Sequence, residues 1–424
     1  MTQQERQGWR VVAALAVVTF LLLGSTIGTI GLFFKPLIRD FGWTHEQVSR
    51  LATAFLLCMG LTAAVTGWIL DRVPAQLPMT MGAAAAATGY FMASRAASLG
   101  SLIAAFALIG AGVGSSTIVP VTIVAANWFR ERRGLAIGVS IAGSPVAVTL
   151  MPPVLAHVII VHGWRTAMLC IGAPILVIGL PAILLVVRTR PAGAETVSVR
   201  REAAAVAGLE LGPALWAPPF WMLAGVQVLF TVAFNGVYYH LVPFLIDAGY
   251  SPQRAAFIFG AKSIFVTAGT ILLGSLADRI GPRGVLAFAM LALCLSLVVV
   301  LAAGSPSLGV IAVILFTIGY GTPTGCTSTL VPMLMVESLG MRRFATLMGI
   351  IGFVATVASA LGPLVTGRVF DLTGSYFVPF ALCAGLFGLG AFITTMVYPA
   401  PGHDTVPAAQ GTAPTAVALE TLRS

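Results

Sequence analysis

The sequence of 424 residues is 58% hydrophobic and only 9% charged, with a mean hydropathy of +0.98. A water-soluble fold needs more charged surface than this, and a disordered chain would be poor in bulky apolar residues, so both classes are excluded. Five cysteines without CxxC spacing exclude a disulfide framework and predict neither a metal site nor a cofactor. The sequence therefore predicts an all-α protein embedded in a lipid bilayer.

Twelve apolar stretches are long enough to cross a bilayer core of about 30 Å, which takes roughly 20 helical residues. The first follows Arg6 and Arg10 as a signal peptide would, but its length and the absence of a cleavage pattern predict that it is retained. The stretches lie near 10–34, 50–70, 79–97, 101–127, 135–160, 165–187, 219–245, 253–277, 284–303, 307–335, 344–368 and 375–398.

The distribution of arginine predicts the topology. With the N-terminus in the cytoplasm, fifteen arginines face the cytoplasm and six the other side, which favours an even number of spans with both termini inside. Basic residues scattered over so many loops do not form a nucleic-acid surface. We expect a multi-pass protein of a bacterial inner membrane, divided into an N-terminal six-helix half (1–187), a cytoplasmic linker (188–218), a C-terminal six-helix half (219–398) and a disordered cytoplasmic tail (399–424).

The two halves repeat each other. A shift of 207 positions places Pro36, Asp40, Gly42, Gly67, Asp71 and Arg72 on Pro243, Asp247, Gly249, Gly274, Asp278 and Arg279, and a shift of 211 places Gly163 on Gly374. Because each repeat has an even number of spans, the two insert in the same orientation. Parallel six-helix repeats are typical of transporters whose substrate site lies between the halves near the membrane midplane.

Several segments resemble the major facilitator superfamily over about residues 8–398. The loop GSLADRIGPRG (Gly274–Gly284) is similar to the superfamily's motif between its second and third spans, in the copy of the second half. The segments WFRERRGLAIGVSIAGSPVAVTLMPP (Trp128–Pro153), GWRTAM (Gly163–Met168) and GLFFKPLIRDFGWT (Gly31–Thr44) are similar to the monocarboxylate transporter and oxalate/formate antiporter branches. The resemblance implies the major facilitator fold and secondary active transport of a small organic anion, most readily a monocarboxylate, by alternating access.

The loop motif also implies a conformational latch. A carboxylate and an arginine at this cytoplasmic loop would hold neighbouring helices together in one conformation of the transporter. The residues expected to form the latch are Asp71, Arg72, Asp278 and Arg279. The copy in the first half lacks the later glycine and basic residue, so its latch is expected to be weaker.

One departure from these branches concerns the substrate site. Their members usually carry an arginine in the eighth span, eight residues before the last Asp of the LADR loop, where it binds the substrate carboxylate. That position is Thr270 here. Lys262 lies eight residues earlier in the same span, about 10 Å below its outer boundary, and no acidic residue occurs at the same depth. An anionic substrate would supply the counter-charge, whereas the alternative is that Lys262 reaches outward to headgroups or water, or contacts backbone carbonyls.

Polar side chains at helical spacing complete the predicted substrate site. In the seventh span they include Asn235, Tyr238 and Tyr239, and in the tenth span Tyr320 and Thr324. Thr29 lies on a shorter stripe in the first span. Lipid offers no hydrogen bonds, so these residues are expected to face protein or a water-filled cavity. The alternative for each is an ordinary hydrogen bond between helices.

His240 is the predicted proton carrier. No carboxylate lies centrally in a span, and histidine titrates near neutral pH. The alternatives are a structural role for His240 and a proton that travels on the substrate. Transport is therefore expected to be proton-coupled or to proceed by exchange.

Other classes of function fit less well. HExxH and P-loop motifs and paired intramembrane carboxylates are all lacking, so the chain is not expected to be an enzyme. A transporter of another small solute, drug-like or neutral, and a membrane sensor that does not transport are the alternatives.

Overall fold

In the computed structural model the protein is a bundle of membrane-crossing helices. The structure describes residues 3–70, 72–129, 133–187, 210–325, 327–340 and 344–398. Across these ranges the helices that cross the bundle are α1 (Glu5–Phe41), α2 (His45–Ile69), α3 (Gln76–Arg95), α4 (Leu99–Trp128), α5 (133–162), α6 (164–185), α7 (Pro218–Asp247), α8 (Pro252–Ile280), α9 (Pro282–Val300), α10 (Gly309–Leu339), α11 (Thr346–Thr373) and α12 (Phe377–Thr395).

Apolar length alone identifies ten membrane spans in the described ranges. One of these, Leu135–Leu185, is 51 residues long and holds two crossings, because the chain reverses at Gly163, where φ is 80° and ψ is 165°. The remaining crossing is α3, whose 20 residues are rich in alanine and glycine and therefore less apolar than the other spans. Within the described ranges the helices that cross the bundle thus number twelve, as predicted.

Positive-φ glycines mark the turns on one face of the bundle. We call the face where the described chain begins and ends the terminal face, and the other the opposite face. On the opposite face Gly42, Gly163, Gly249 and Gly374 have φ of 68°, 80°, 94° and 69°, a region that glycine enters without steric penalty. The sequence repeat pairs the first with the third and the second with the fourth. The backbone therefore shows the same internal repetition as the sequence.

Small residues let the helices of each half approach backbone to backbone. A Cβ on Gly110 or Gly114 of α4 would lie 2.2 Å from a carbonyl oxygen of α2, and one on Gly112 would lie 2.3 Å from a carbonyl oxygen of α3. In the C-terminal half, Gly321 and Gly325 of α10 meet α8 in the same way. Close contact of this kind is the usual means by which helices associate in lipid.

The connections between the halves are described only in part. Most of the predicted linker 188–218 lies outside the described residues, and its last part holds a short helix, Leu211–Trp216. The predicted tail 399–424 also lies outside them. The division of the chain at the linker stays a prediction.

Candidate functional site

Lys262 lies near the middle of the bundle. Its helix, α8, begins at Pro252, so the residue is ten positions inside, or about 15 Å at a rise of about 1.5 Å per residue. That is half the thickness of a bilayer core of about 30 Å and deeper than the sequence predicted. The side chain is only 1% exposed. The ammonium group is therefore enclosed by protein. The alternative in which Lys262 reaches outward to headgroups or water would have needed an exposed side chain.

Four aromatic rings surround the Lys262 ammonium. Its Nζ lies 4.5 Å from the ring centroid of Tyr238, 4.8 Å from Phe259, 5.5 Å from Tyr320 and 5.9 Å from Phe234. These distances fall within the range of cation–π attraction, which grows when the charge is desolvated. We call these five residues the lysine cage. It draws on α7, α8 and α10, all from the C-terminal half.

The lysine cage contains polar groups that lack the usual partners. Within the described ranges no carboxylate pairs with Lys262, and the fully buried Tyr320 hydroxyl makes no hydrogen bond. A buried charge and a buried hydroxyl without partners both carry a free-energy penalty. An oxygen anion bound between them would satisfy both groups.

Close helix packing fixes Tyr320 relative to Lys262. A Cβ on Gly321, the residue after Tyr320, would lie 2.8 Å from the backbone oxygen of Lys262. Farther along the same helices, a Cβ on Gly269 would lie 1.8 Å from the backbone oxygen of Thr322. The two helices therefore touch backbone to backbone at two levels, which holds Tyr320 close beside Lys262.

Three predicted site hydroxyls are engaged within their own helices. The hydroxyls of Thr29, Thr270 and Thr324 donate to carbonyl oxygens one turn earlier, at 2.6, 2.8 and 2.5 Å. A hydroxyl has one proton to donate, so in these rotamers none of the three can donate to a substrate carboxylate. Thr270 also fills the space over Gly325, where an added Cβ would lie 2.0 Å from the Thr270 Oγ1. Their role in substrate binding stays a prediction.

Asn235 and Tyr239 flank the lysine cage on α7. The Asn235 amide donates to the backbone oxygen of Thr231 at 2.9 Å, which leaves one amide proton and the carbonyl oxygen for other partners. The Tyr239 ring lies 5.3 Å from the Tyr238 ring and is 1% exposed. A Cβ on Gly31 would lie 2.9 Å from the Tyr239 backbone oxygen, so α1 of the other half passes directly alongside.

His240 is fully buried and connects the two halves. Its Nε2 lies 3.0 Å from both the Ser49 Oγ and the Pro363 backbone oxygen, and its Nδ1 lies 3.2 Å from the Tyr376 hydroxyl. The Ser49 hydroxyl donates to the His45 carbonyl at 2.6 Å, so both neighbours of Nε2 act as acceptors. Nε2 therefore carries the proton, and Nδ1 accepts from the tyrosine. A second proton would have to bind at Nδ1. Proton coupling through His240 stays a prediction.

Charged side chains join the two halves at the opposite face. Lys35 of α1 forms an ion pair with Asp247 of α7. Arg368 of α11 binds Glu46 of α2 at 2.9 Å. Beside this pair, the Asp371 carboxylate accepts hydrogen bonds from the first two backbone N–H groups of α2.

We call these contacts, together with the one between Ser49 and His240, the opposite-face closure. Toward the terminal face, the last described hydrogen bond between the halves joins the Thr53 hydroxyl to the Ala360 backbone oxygen at 2.8 Å. The ion pairs and hydrogen bonds named here between the halves thus lie between mid-membrane and the opposite face.

The predicted latch residues lie at the terminal face. Asp71 is outside the described residues. The Arg72 guanidinium stacks over the Trp68 ring at 3.8 Å and donates to the Trp68 backbone oxygen, whereas Asp278 and Arg279 are exposed at the end of α8. The latch stays a prediction.

Sequence reasoning missed two members of the lysine cage and most of the opposite-face closure. Phe234 and Phe259 are apolar residues in apolar helices, so no local pattern separates them from core residues. Their spacing from known polar positions was the only available signal, since Phe234 lies one turn before Tyr238 and Phe259 three residues before Lys262. The partners in the closure are too far apart in sequence to be paired by pattern.

Comparison with known proteins agrees with this architecture. The sequence profile of the Major Facilitator Superfamily matches residues 15–363. Monocarboxylate transporter 12 of Rattus norvegicus is 24% identical, over 89% of this chain and 82% of its own length. The uncharacterized MFS-type transporter YcxA of Bacillus subtilis is 26% identical, over 88% of this chain and 93% of its own length.

Among solved structures, a bacterial homologue of the human lysosomal transporter Spinster, inward-facing and unoccupied, superimposes with a TM-score of 0.73. It is 17% identical and covers 95% of this chain and 100% of its own, so the likeness shows the fold alone. The chain belongs to the Major Facilitator Superfamily. It is a multi-pass membrane transporter of small solutes and not an enzyme, as the sequence predicted.

Proposed function

We propose that this transporter moves a small monocarboxylate by alternating access, with Lys262 as the charge partner of the carboxylate. The observation that carries the proposal is the lysine cage, where a cation at mid-membrane has ring faces but no described carboxylate around it. The similarity to monocarboxylate transporter 12 supports the same class of substrate. One cation and one free hydroxyl match one carboxylate group.

The opposite-face closure supports alternating access. A transporter that rocks about a central site must close one face while the other opens. Here the polar contacts named between the halves lie on one side of the membrane centre, which supports a conformation closed at the opposite face. The arginine distribution favours the cytoplasm as the compartment at the terminal face. Coupling would then use a proton on His240 or on the substrate, or proceed by exchange.

The decisive experiment measures binding and counterflow in liposomes across a panel of mono- and dicarboxylates. Removing one partner of a buried charge pair commonly costs about 3–5 kcal/mol, so Lys262→Ala should weaken monocarboxylate binding by roughly two orders of magnitude or more. Lys262→Arg should also bind poorly, because the larger planar guanidinium does not fit where an ammonium did. Arg254→Ala is the matched control, since Arg254 is an exposed cation in the first turn of the same helix.

Three outcomes would contradict the proposal. Normal affinity in Lys262→Ala would show that the lysine does not bind the substrate. Counterflow of neutral or drug-like solutes without any response to carboxylates would show that the protein transports another class of small solute. A protein that binds solutes but exchanges none of them across the bilayer would favour a sensor.

A further inference from the structure

The lysine cage is part of a larger aromatic cluster. Phe234 stacks on Phe230 with centroids 5.6 Å apart and an interplanar angle of 7°. Tyr320 stacks on Phe316 at 4.9 Å and 26°. Tyr238 meets Phe259 edge-on at 4.8 Å. The wall around the Lys262 ammonium is therefore built from ring faces and edges, where an aliphatic pocket would present methyl groups.

The four rings differ in how accessible they are. Tyr238, Phe259 and Tyr320 are buried, whereas Phe234 is half-buried. On α7, the half-buried Thr231 and Gln227 follow Phe234 toward the terminal face. A solute that enters from the terminal face would thus meet Phe234 before it reaches the ammonium. Phe230 and Tyr238 pack against Phe234 from either direction along α7, the latter with ring centroids 5.1 Å apart at 44°, so a planar group meets the accessible part of Phe234 edge-on, the T-shaped form of aromatic stacking.

The charge of the site limits the solute to one carboxylate. Arg254 is the arginine or lysine nearest to Lys262 in the sequence of α7 and α8. It lies two turns away and is exposed. Lys35 of the other half is already paired with Asp247. A second carboxylate would lie against ring faces, which repel anions and offer no counter-charge.

Resting on the proposed function, we propose that the preferred substrates are arylcarboxylates, in which a single carboxylate is carried by a planar aromatic ring. The carboxylate binds between the Lys262 ammonium and the Tyr320 hydroxyl. The aromatic ring stacks edge-on against Phe234. Aliphatic acids can make the first contact but not the second.

The test compares pairs of acids that differ only in aromaticity. Binding of benzoate and phenylacetate to the purified wild-type protein is measured against cyclohexanecarboxylate and cyclohexylacetate, with acetate as the minimal anion. The saturated acids are the more apolar, so burial of apolar surface alone would favour them. Stacking should instead make the aryl acids bind about two- to tenfold more tightly. Equal or tighter binding of the saturated acids overturns the inference.

Variants assign the preference to Phe234. Phe234→Leu should remove the preference for aryl acids while acetate affinity changes by less than about twofold, since leucine keeps the site apolar but cannot stack. Phe288→Leu is the matched control, because Phe288 is 61% exposed on α9. A preference that survives in Phe234→Leu contradicts the stacking site.

Failure of this inference can be distinguished from failure of the proposed function. If every acid loses affinity in Lys262→Ala but the saturated acids bind as well as the aryl acids, the proposed function stands and the arylcarboxylate class is wrong. If no acid responds to Lys262→Ala, both are wrong. The comparison of acids on wild-type protein needs no variant to fold.

Discussion

Asp371, at the end of α11, caps the first turn of α2 by accepting the backbone N–H of His45 at 2.9 Å. Its second oxygen accepts the next N–H of the same turn at 2.7 Å, and the His45 Nδ1 lies 3.4 Å from the carboxylate. The first N–H groups of a helix have no partners within it and carry partial positive charge, so a carboxylate is stabilised there. Because this carboxylate belongs to the other half, separating the halves at the opposite face removes the partner of these two N–H groups and leaves α2 with only its own Thr44–Gln47 capping box.

We therefore expect Asp371→Asn to favour opening of the opposite face. A charge at a helix N-terminus contributes about 0.3–2 kcal/mol, which corresponds to a shift of roughly two- to thirtyfold in the ratio of the two conformations. Spin labels on Ala97→Cys and Ser307→Cys, both in exposed opposite-face loops of different halves, would report a longer distance. The native cysteines would first be replaced by alanine.

Asp40→Asn provides the matched control for that experiment. Asp40 is also a carboxylate at the opposite face, but it accepts from the Trp164 indole at 2.8 Å within its own half. Its loss should leave the distance between the labels unchanged. An unchanged distance in Asp371→Asn as well would show that the cap does not hold the halves together.

Replacing His240 by Gln should abolish uptake driven by a pH gradient while counterflow exchange continues. Glutamine can both donate and accept, so it can keep bonds to Ser49 or Pro363, but it cannot take up a proton. His157→Gln, at an exposed position of α5, is the control. Unchanged uphill uptake in His240→Gln would remove the residue from coupling, and an equal loss of uptake and exchange would assign it to the closure alone.

Adding Thr270→Arg to Lys262→Ala should not restore substrate binding. Thr270 is eight residues from Lys262, or about 12 Å along α8, and an arginine there would extend over Gly325 beyond the lysine cage. Affinity for the same monocarboxylates, measured in liposomes, decides the point. Recovery in the double variant would mean that the binding site lies nearer the terminal face than the cage.

Gly321→Ala should disturb the site without altering any polar group. The added methyl would lie 2.8 Å from the Lys262 backbone oxygen and from the Phe265 Cβ, so α10 must move away from α8. Overpacking of this kind costs about 1–3 kcal/mol, which should appear as a lower unfolding temperature and weaker substrate binding. Gly349→Ala, where a Cβ meets nothing within 4 Å, should show neither effect.

Reporter fusions test the predicted topology. Fusions at residue 200 and at the C-terminus should both report the cytoplasm, because an even number of spans separates them and arginine is concentrated on that side. Signals from opposite faces of the membrane would rule out this arrangement.

Hydropathy predicted the spans closely except where charges lie inside a helix. The first span was predicted near 10–34 but α1 runs from Glu5 to Phe41. The second span was predicted to begin near residue 50 but α2 begins at His45, and the eleventh was predicted to end near 368 but α11 ends at Thr373. The errors in the second and eleventh spans have one cause. Glu46 of α2 binds Arg368 of α11, and Asp371 caps α2, so each helix supplies the partners that let the other continue past the apolar stretch.

The candidate site was predictable to the extent that its members are polar. Lys262 and Tyr320 stood out because lysine and tyrosine are rare within the spans of this chain. Phe234 and Phe259 did not, since a phenyl ring in lipid, in a protein core or against an ammonium has the same sequence signature. Their role depends on the way α7 and α8 are turned toward each other, which is set by packing in three dimensions.

The lysine cage belongs entirely to one half of the molecule, on helices that touch backbone to backbone. Under the proposed function the binding surface moves with the C-terminal half, and the N-terminal half covers or uncovers it on either side of the membrane. Selectivity and gating would then lie in different halves. The C-terminal half could be transplanted beside a different N-terminal half and retain the preferences of its own binding surface.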